Sequence, residues 1–393
     1  MAVKKIADGI YDVGVQHWDR KLFDELIPLP HGTSYNAYLI IDEKVALIDT
    51  VDPSKTYILL ENLKSLGVER IDYIISNHAE QDHSGSIPKL LEMYPQAKVV
   101  TNAKAKEFLK DLLHIEDDRF LVVKEEDTLK LGKRTLKFYM TPWVHWPETM
   151  STLLVEDEIL FTCDFFGAHI ASTAVFAEDS EIIYEASKRY YAEIMMPFRV
   201  AIKKNLEKVR KINPKFIAPS HGLVYRDPEF IISAYEDWVS DDVKNEAVLA
   251  YVSMHGSTQV LAERLYDDLV KEGIEVKFFN LAEADIGQYA IALVDAATLV
   301  GASPTVLGGL HPAAAFAVLL TSELRPKVKL VGIMGSYGWG GMMVEQAKSM
   351  LKGIKAEFLE PLLVKGLPRE EDLRKVDEYA KKIAQKHREW GLM

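Results

Sequence analysis

The chain has one cysteine, Cys163, in 393 residues. A single thiol excludes an internal disulfide and any four-thiolate iron or zinc site within one chain. Any metal must therefore be held by histidine, aspartate and glutamate. Long apolar runs are missing too: none reaches the roughly 18 residues of a membrane span. The N-terminal MAVKKIADGIYDVG carries two lysines but neither an apolar segment nor a small-residue cleavage site, so a cytoplasmic protein is expected. Positive charge is scarce, with 47 Lys and Arg against 59 Asp and Glu for a net charge of −12. Phosphate backbones and anionic membranes call for a basic face, and neither is an expected partner. No G-x-G-x-x-G fingerprint of a nicotinamide site occurs, nor any internal repeat or low-complexity tract.

What is present is ordinary for a folded protein, with 48% apolar and 27% charged residues. The length exceeds what one core organises and predicts two domains. Up to about residue 240, short strand-like runs (YNAYLII, KVALIDT, DYIIS, AKVVTN, RTLKFYM) lie between Gly, Pro and Asp punctuation, with helical stretches at 53–66 and 87–94. Sheets covered by helices follow. After WVSDDVKNEA the pattern changes. Strands AVLAYV, EVKFFNL, ATLVGASP, KVKLVGIMGSY and AEFLEPLLV alternate with five helices, which predicts a doubly wound parallel sheet. The expected division is residues 1–245 and 246–393.

Chemistry concentrates at SNHAEQDHSGS, where His78, Glu80, Asp82 and His83 follow the strand DYIIS. In a helix the first three would fan apart, whereas a turning loop lets them converge. Taken alone, the stretch also reads as a polar loop whose carboxylates cap a helix beginning near Ser86. Three further candidates each follow an apolar strand: His145 in MTPWVHWPE, Asp164 in ILFTCDFFG and His221 in FIAPSHGLVY. Each singly reads as structural, but four strand-end sites in this order point to a metal centre.

In these residues the chain resembles the metallo-β-lactamase-like superfamily, which places HxHxDH, a later His, a bridging Asp and a final His at successive strand ends. The resemblance covers about residues 1–240 and identifies Asp49, in VALIDT, with an early aspartate that orients ligands without binding metal. Hydrolases of that superfamily carry His at the second motif position, which suits zinc that activates water. Here it is Glu80. Three carboxylates and four imidazoles form a harder, more anionic set that favours ferric iron, so the site reads as redox. The resemblance to the iron-containing branch implies one iron on His78, Glu80 and His145, another on Asp82, His83 and His221, and Asp164 bridging. Members of that branch differ in whether the imidazole at His83 reaches the metal.

The second half asks for a phosphate. Ser253, His255, Gly256, Ser257 and Thr258 form a donor-rich loop between the first strand and its helix, although Ser and Thr there also serve as plain caps. This half resembles flavodoxin over about residues 247–393, with His255 standing where a hydroxyl residue is usual. The match includes GASPTVLGG and GSYGWGG at later strand ends. Ser303, Pro304, Thr305 and Leu307 would line the ring edge of FMN. Gly335, Ser336, Tyr337, Gly338, Trp339 and Gly340 would supply backbone contacts and an aromatic flank.

Together the halves resemble the flavodiiron proteins over essentially the whole chain. The resemblance implies an α/β fold, with an N-terminal metallo-β-lactamase-like αββα sandwich and a C-terminal flavodoxin-like doubly wound parallel sheet. It implies an enzyme reducing dioxygen to water and/or nitric oxide to nitrous oxide at two iron ions bridged by oxo, hydroxo or carboxylate groups, with electrons relayed through FMN. It further implies a head-to-tail homodimer or a dimer of dimers. No rubredoxin segment with paired CxxC is present, so the donor is external: a separate rubredoxin, another small electron donor, or a reduced deazaflavin. Tyr190 or Tyr191 would donate a hydrogen bond or proton near the irons, and Trp146 would wall the pocket. A zinc hydrolase with a docking module, and a pure FMN electron carrier, are the competing readings.

Overall fold

A computed structural model describes residues 3–178 and 180–393 of the chain. It divides into two compact units, Met1–Tyr191 with Phe198–Val239, and Ser240–Met393 with Ala192–Pro197.

The first unit is built on two sheets, each of seven strands among the described residues. In the first, Lys4–Ala7 (β1), Ile10–Asp12 (β2), Tyr38–Ile41 (β3), Val45–Ile48 (β4), Tyr73–Ile75 (β5), Lys98–Asn102 (β6) and Phe120–Val123 (β7) lie side by side in chain order. Strands β4 to β7 run parallel. The second sheet takes Thr128–Lys130 (β8), Thr135–Met140 (β9), Met150–Leu154 (β10), Ile159–Cys163 (β11), Phe176–Ala177 (β12), Phe216–Pro219 (β13) and Val224–Tyr225 (β14) in the order 8-9-10-11-13-14-12.

Strand periodicity explains why the first sheet reads as unbroken apolar runs. Leu39, Leu47, Ile74 and Val99 pack with Leu59, Leu63, Ile87, Leu90 and Leu109 of helices on one face. Their neighbours Ile40, Ile48, Ile75 and Val100 point the other way, onto Leu136, Phe138, Met150, Ile159 and Phe161 of the second sheet. Both faces are therefore covered. Each such side chain contributes about 1.5–3 kcal/mol by leaving water. The unit is metallo-β-lactamase-like.

The second unit is a flavodoxin-like parallel sheet of Lys244–Tyr251 (β15), Glu275–Asn280 (β16), Ala296–Val306 (β17), Leu330–Tyr337 (β18) and Glu357–Phe358 (β19), in the order 16-15-17-18-19. Helices Ser257–Lys271 and Glu370–Glu389 pack Leu261, Leu265, Val376 and Ile383 on one face; Ala314, Met343 and Ala347 cover the other. The stretch AEFLEPLLV, expected as one strand, is two. Leu362–Lys365 (β20) pairs with β18 separately from β19. Pro361 explains the break, since it offers no N–H to the ladder.

Among the described residues no helix is long and apolar enough to cross a membrane.

Candidate functional site

Parallel pairing brings the chemistry to one edge of each sheet. Asp49 and His78 follow the C-terminal ends of the parallel strands β4 and β5, while Asp164 and His221 follow those of β11 and β13, also parallel. Asp49, Trp143 and Cys163, none of them glycine, hold φ of 54°, 64° and 51°. Backbone strain of roughly 1–3 kcal/mol each is thus gathered around these loops.

The stretch 78–83 is not wholly loop. His78 and Glu80 precede a single helical turn, Gln81–Ser84, that carries Asp82 and His83. The change of backbone aims the two pairs at different points. Glu80 occupies the N-cap position but its side chain makes no capping bond. Its Oε2 lies 3.1 Å from His78 Nε2 and 3.1 Å from His145 Nε2 instead. Asp164 completes this first group, with Oδ2 at 3.4 Å from His78 Nε2 and 3.5 Å from His145 Nε2. Its other oxygen, Oδ1, faces a second group, 2.9 Å from His83 Nε2 and 3.5 Å from His221 Nε2. Asp82 Oδ2 closes that group at 3.3 Å from His83 Nε2 and 3.2 Å from His221 Nε2. All seven predicted residues are thus drawn together, and His83 turns its Nε2 inward.

Donors about 2.1 Å from one ion stand roughly 3–3.5 Å from one another, and both groups have that spacing. Asp82 Oδ1 and Oδ2, Asp164 Oδ2 and His221 Nε2 are buried without a hydrogen-bond partner among the described residues. Unsatisfied buried donors and acceptors of this kind are costly unless a cation answers them. The donor set fits two metal ions.

Electrostatics agree. Burial opposes a charge on His78, yet Glu148 and Glu80 outweigh it and lift the ring to about 10. His145 rises to about 10 and His83 to about 9, again against burial, through Asp164 and Glu80 in one case and Asp82 and Asp164 in the other. Burial pushes the Glu80 and Asp164 carboxyls up, but the surrounding imidazoles hold both well below the usual carboxylate range. The pocket draws positive charge, which protons supply when no metal does.

Supporting groups fix the ring directions. Asp49 accepts from Asn77 N at 2.8 Å and Asn77 Nδ2 at 2.9 Å, clamping the residue before His78. His221 Nδ1 donates to the Ser34 carbonyl at 2.6 Å. Of the paired tyrosines, Tyr190 donates to Asp164 Oδ1 at 2.9 Å, whereas Tyr191 points away and donates to the Trp238 carbonyl. Trp146 stands edge-on to His78, with ring centres 5.0 Å apart. Sequence reasoning missed Glu148, 2.6 Å from His78 Nδ1, and His169, whose ring lies against His221 and Phe23. A carboxylate three residues after His145 in HWPE was the available sign of the first.

In the second unit, Ser253, His255, Ser257, Thr258, Pro304, Thr305, Ser336, Tyr337 and Gly338 line one cleft with Met254 and Gly366. Thr258 and Ser336 hydroxyls meet at 2.9 Å, linking the loops of the first and fourth strands. Gly256 turns the chain into its helix with φ of 88°, a conformation suited to glycine, and no side chain caps that helix. The open N–H groups and hydroxyls fit a phosphate. Gly256, Ser303, Leu307, Gly335, Trp339 and Gly340 do not line the cleft. Ser303 Oγ turns to the Pro304 carbonyl, Gly335 is buried against the Ser303 carbonyl and Met343, Gly340 is exposed, and Leu307 and Trp339 are 94% and 70% exposed.

Comparison with known proteins agrees with both units. Residues 33–222 match the family described as ODP family beta lactamase, and residues 249–382 match flavodoxin. The chain is 39% identical to a nitric oxide reductase of Moorella thermoacetica, covering 96% of this chain and 97% of that one. It is 33% identical to a coenzyme F420H(2) oxidase of Methanothermobacter marburgensis, over 89% and 90% of the two chains. The solved structure of rubredoxin oxygen:oxidoreductase from Desulfovibrio gigas superposes with a TM-score of 0.94 at 31% identity, over 98% of each chain.

Proposed function

The chain belongs to the flavodiiron protein family of oxidoreductases, and we propose that it reduces dioxygen to water and/or nitric oxide to nitrous oxide at a non-haem diiron centre. The observation that carries the reading is Asp164, whose two oxygens face two different donor groups. His78, Glu80, His145 and Asp164 Oδ2 would hold one iron; Asp82, His83, His221 and Asp164 Oδ1 the other.

Bound irons and FMN would supply the redox chemistry, four electrons and four protons turning dioxygen into two waters, or two of each turning two nitric oxides into nitrous oxide and water. The protein's own side chains hold position and protons. Glu80 and Asp164 stay anionic and keep the imidazole Nε2 atoms aimed inward. Burial pushes the Tyr190 hydroxyl well up, so its proton stays on the oxygen that bonds Asp164 Oδ1. Trp146 beside His78 and Phe23 beside His221 and His169 keep bulk water from the rings. In the second unit Ser253, Ser257 and Thr258 would hold the FMN phosphate, with the loops at 304–305 and 336–338 beside the flavin.

Electrons would come from a rubredoxin or a reduced deazaflavin, donors that the names of two relatives suggest. A second copy, head to tail, would bring each flavin to the partner's irons.

The test is metal and flavin content of the purified protein, followed by anaerobic assay with dioxygen and nitric oxide under a reduced donor. Two irons and one FMN per chain with reductant-dependent turnover are expected. Two zinc ions, no flavin and activity without reductant after iron reconstitution would return the protein to the hydrolases.

A further inference from the structure

The outward-facing nitrogens of the site histidines are not treated alike. His78 Nδ1 lies 2.6 Å from Glu148 Oε1, and both side chains are fully buried. The same oxygen accepts from Ala79 N at 3.1 Å, and the Glu148 carbonyl accepts from Asn102 Nδ2 at 2.6 Å. Asn102 is itself fixed as the cap of helix Ala103–Leu113. In the other group, the outward nitrogen of His221 meets a neutral carbonyl, and that of His83 has no hydrogen-bond partner among the described residues.

Glu148 also lacks what a buried carboxylate needs. Among the described residues no lysine or arginine pairs with it, and its Oε2 has no partner. An ionised buried carboxylate is costly unless a cation answers it. The group positioned to carry that cation is His78, on its far nitrogen. A carboxylate behind a metal-binding imidazole fixes the tautomer, leaves the Nε2 lone pair facing the ion and makes the ring a stronger donor.

We propose that Glu148 is a positioning residue that acts through His78 to make the two halves of the centre unequal, tightening the His78–Glu80–His145 half and not the Asp82–His83–His221 half. The proposal rests on the diiron reading. It assigns no contact between Glu148 and substrate.

The experiment is graded removal of iron from the holoprotein by a chelator, following irons per chain, flavin per chain and the Mössbauer spectrum. In the unaltered protein, removal in two phases separated at least tenfold in chelator concentration is expected. Glu148→Gln keeps an acceptor and removes the charge, so it should loosen one iron by roughly 10- to 100-fold. It should change one Mössbauer doublet and leave the other iron and the flavin in place. A single phase in the unaltered protein, equal loosening of both irons in the variant, or no change in the variant would each overturn the proposal. The two-phase measurement needs no variant and stands if Glu148→Gln fails to fold. An unaltered protein without two irons would instead sink the diiron reading itself.

Discussion

Asp164 gives the sharpest test of the shared centre. Asp164→Ala removes the side chain whose Oδ1 lies 2.9 Å from His83 Nε2 and whose Oδ2 lies 3.4 Å and 3.5 Å from His78 and His145 Nε2. Each donor group loses one of four members, and each loses an anion. Taking one partner from a buried charge cluster costs about 3–5 kcal/mol. At about 1.4 kcal/mol per factor of ten, each iron should bind roughly 100- to 4,000-fold more weakly. Iron per chain should fall from two to near zero after passage over a chelating resin, while FMN in the other unit stays at one. Elemental analysis beside flavin absorbance measures both, and Asp164→Asn, of nearly the same shape, guards against simple misfolding. One iron retained at full occupancy in both variants would refute the reasoning, because that half of the centre would then not depend on a shared carboxylate.

Thr258→Val should weaken FMN by about tenfold and leave iron untouched, because one hydroxyl at the loop junction with Ser336 is lost, worth roughly 1–1.5 kcal/mol; fluorescence titration of flavin-free protein measures it. The metal-free protein should lose stability at alkaline pH. His83 is raised to about 9 and His78 and His145 to about 10, above the ordinary value of about 6.5. Their stabilisation is complete below pH 6.5 or so and disappears as pH rises through 9–10, roughly 3 kcal/mol for His83 alone. Urea unfolding at pH 6 and pH 10, with and without iron, measures it; equal stability at both pH values without metal would contradict the assignment. His387 runs the opposite way. Burial pushes it down to about 4 while its ring nitrogens bond Thr298 and Asn245. The unfolded chain therefore takes up that proton first, and stability should fall by up to roughly 3 kcal/mol between pH 6.5 and 4, a slope that His387→Gln should flatten.

Much of this was readable from the sequence because the relevant rule is local. A parallel strand whose apolar run gives way just past its C-terminal end to His or Asp announces a site, and His78, Asp164 and His221 all stand at such ends. The continuous apolar run AVLAY in β15 likewise announces a strand covered on both faces. What was not readable depends on angle or on distant partners. Tyr190 and Tyr191 are adjacent letters, but a helical step of about 100° sends one hydroxyl to Asp164 and the other to the Trp238 carbonyl. Asp82 and His83 look like a continuation of the loop, and only the helical turn at Gln81–Ser84 separates them from His78 and Glu80.

The same distinction explains how one short motif supplies two donor groups. Spacing on the chain brings His78, Glu80, Asp82 and His83 to one edge of the first sheet, while β11 delivers Asp164 from the second. The division into two groups arises where these meet, since a carboxylate offers two oxygens about 2.2 Å apart and each can serve a separate ion. One source of inequality between the groups lies behind the donors, where Glu148 stands 70 positions from His78. A pattern of letters can name the donors, but the partner that sets a ring's donor strength is chosen by how two sheets are stacked. On the proposed reading, selectivity between dioxygen and nitric oxide is to be sought among such supporting groups as well as among the seven donors.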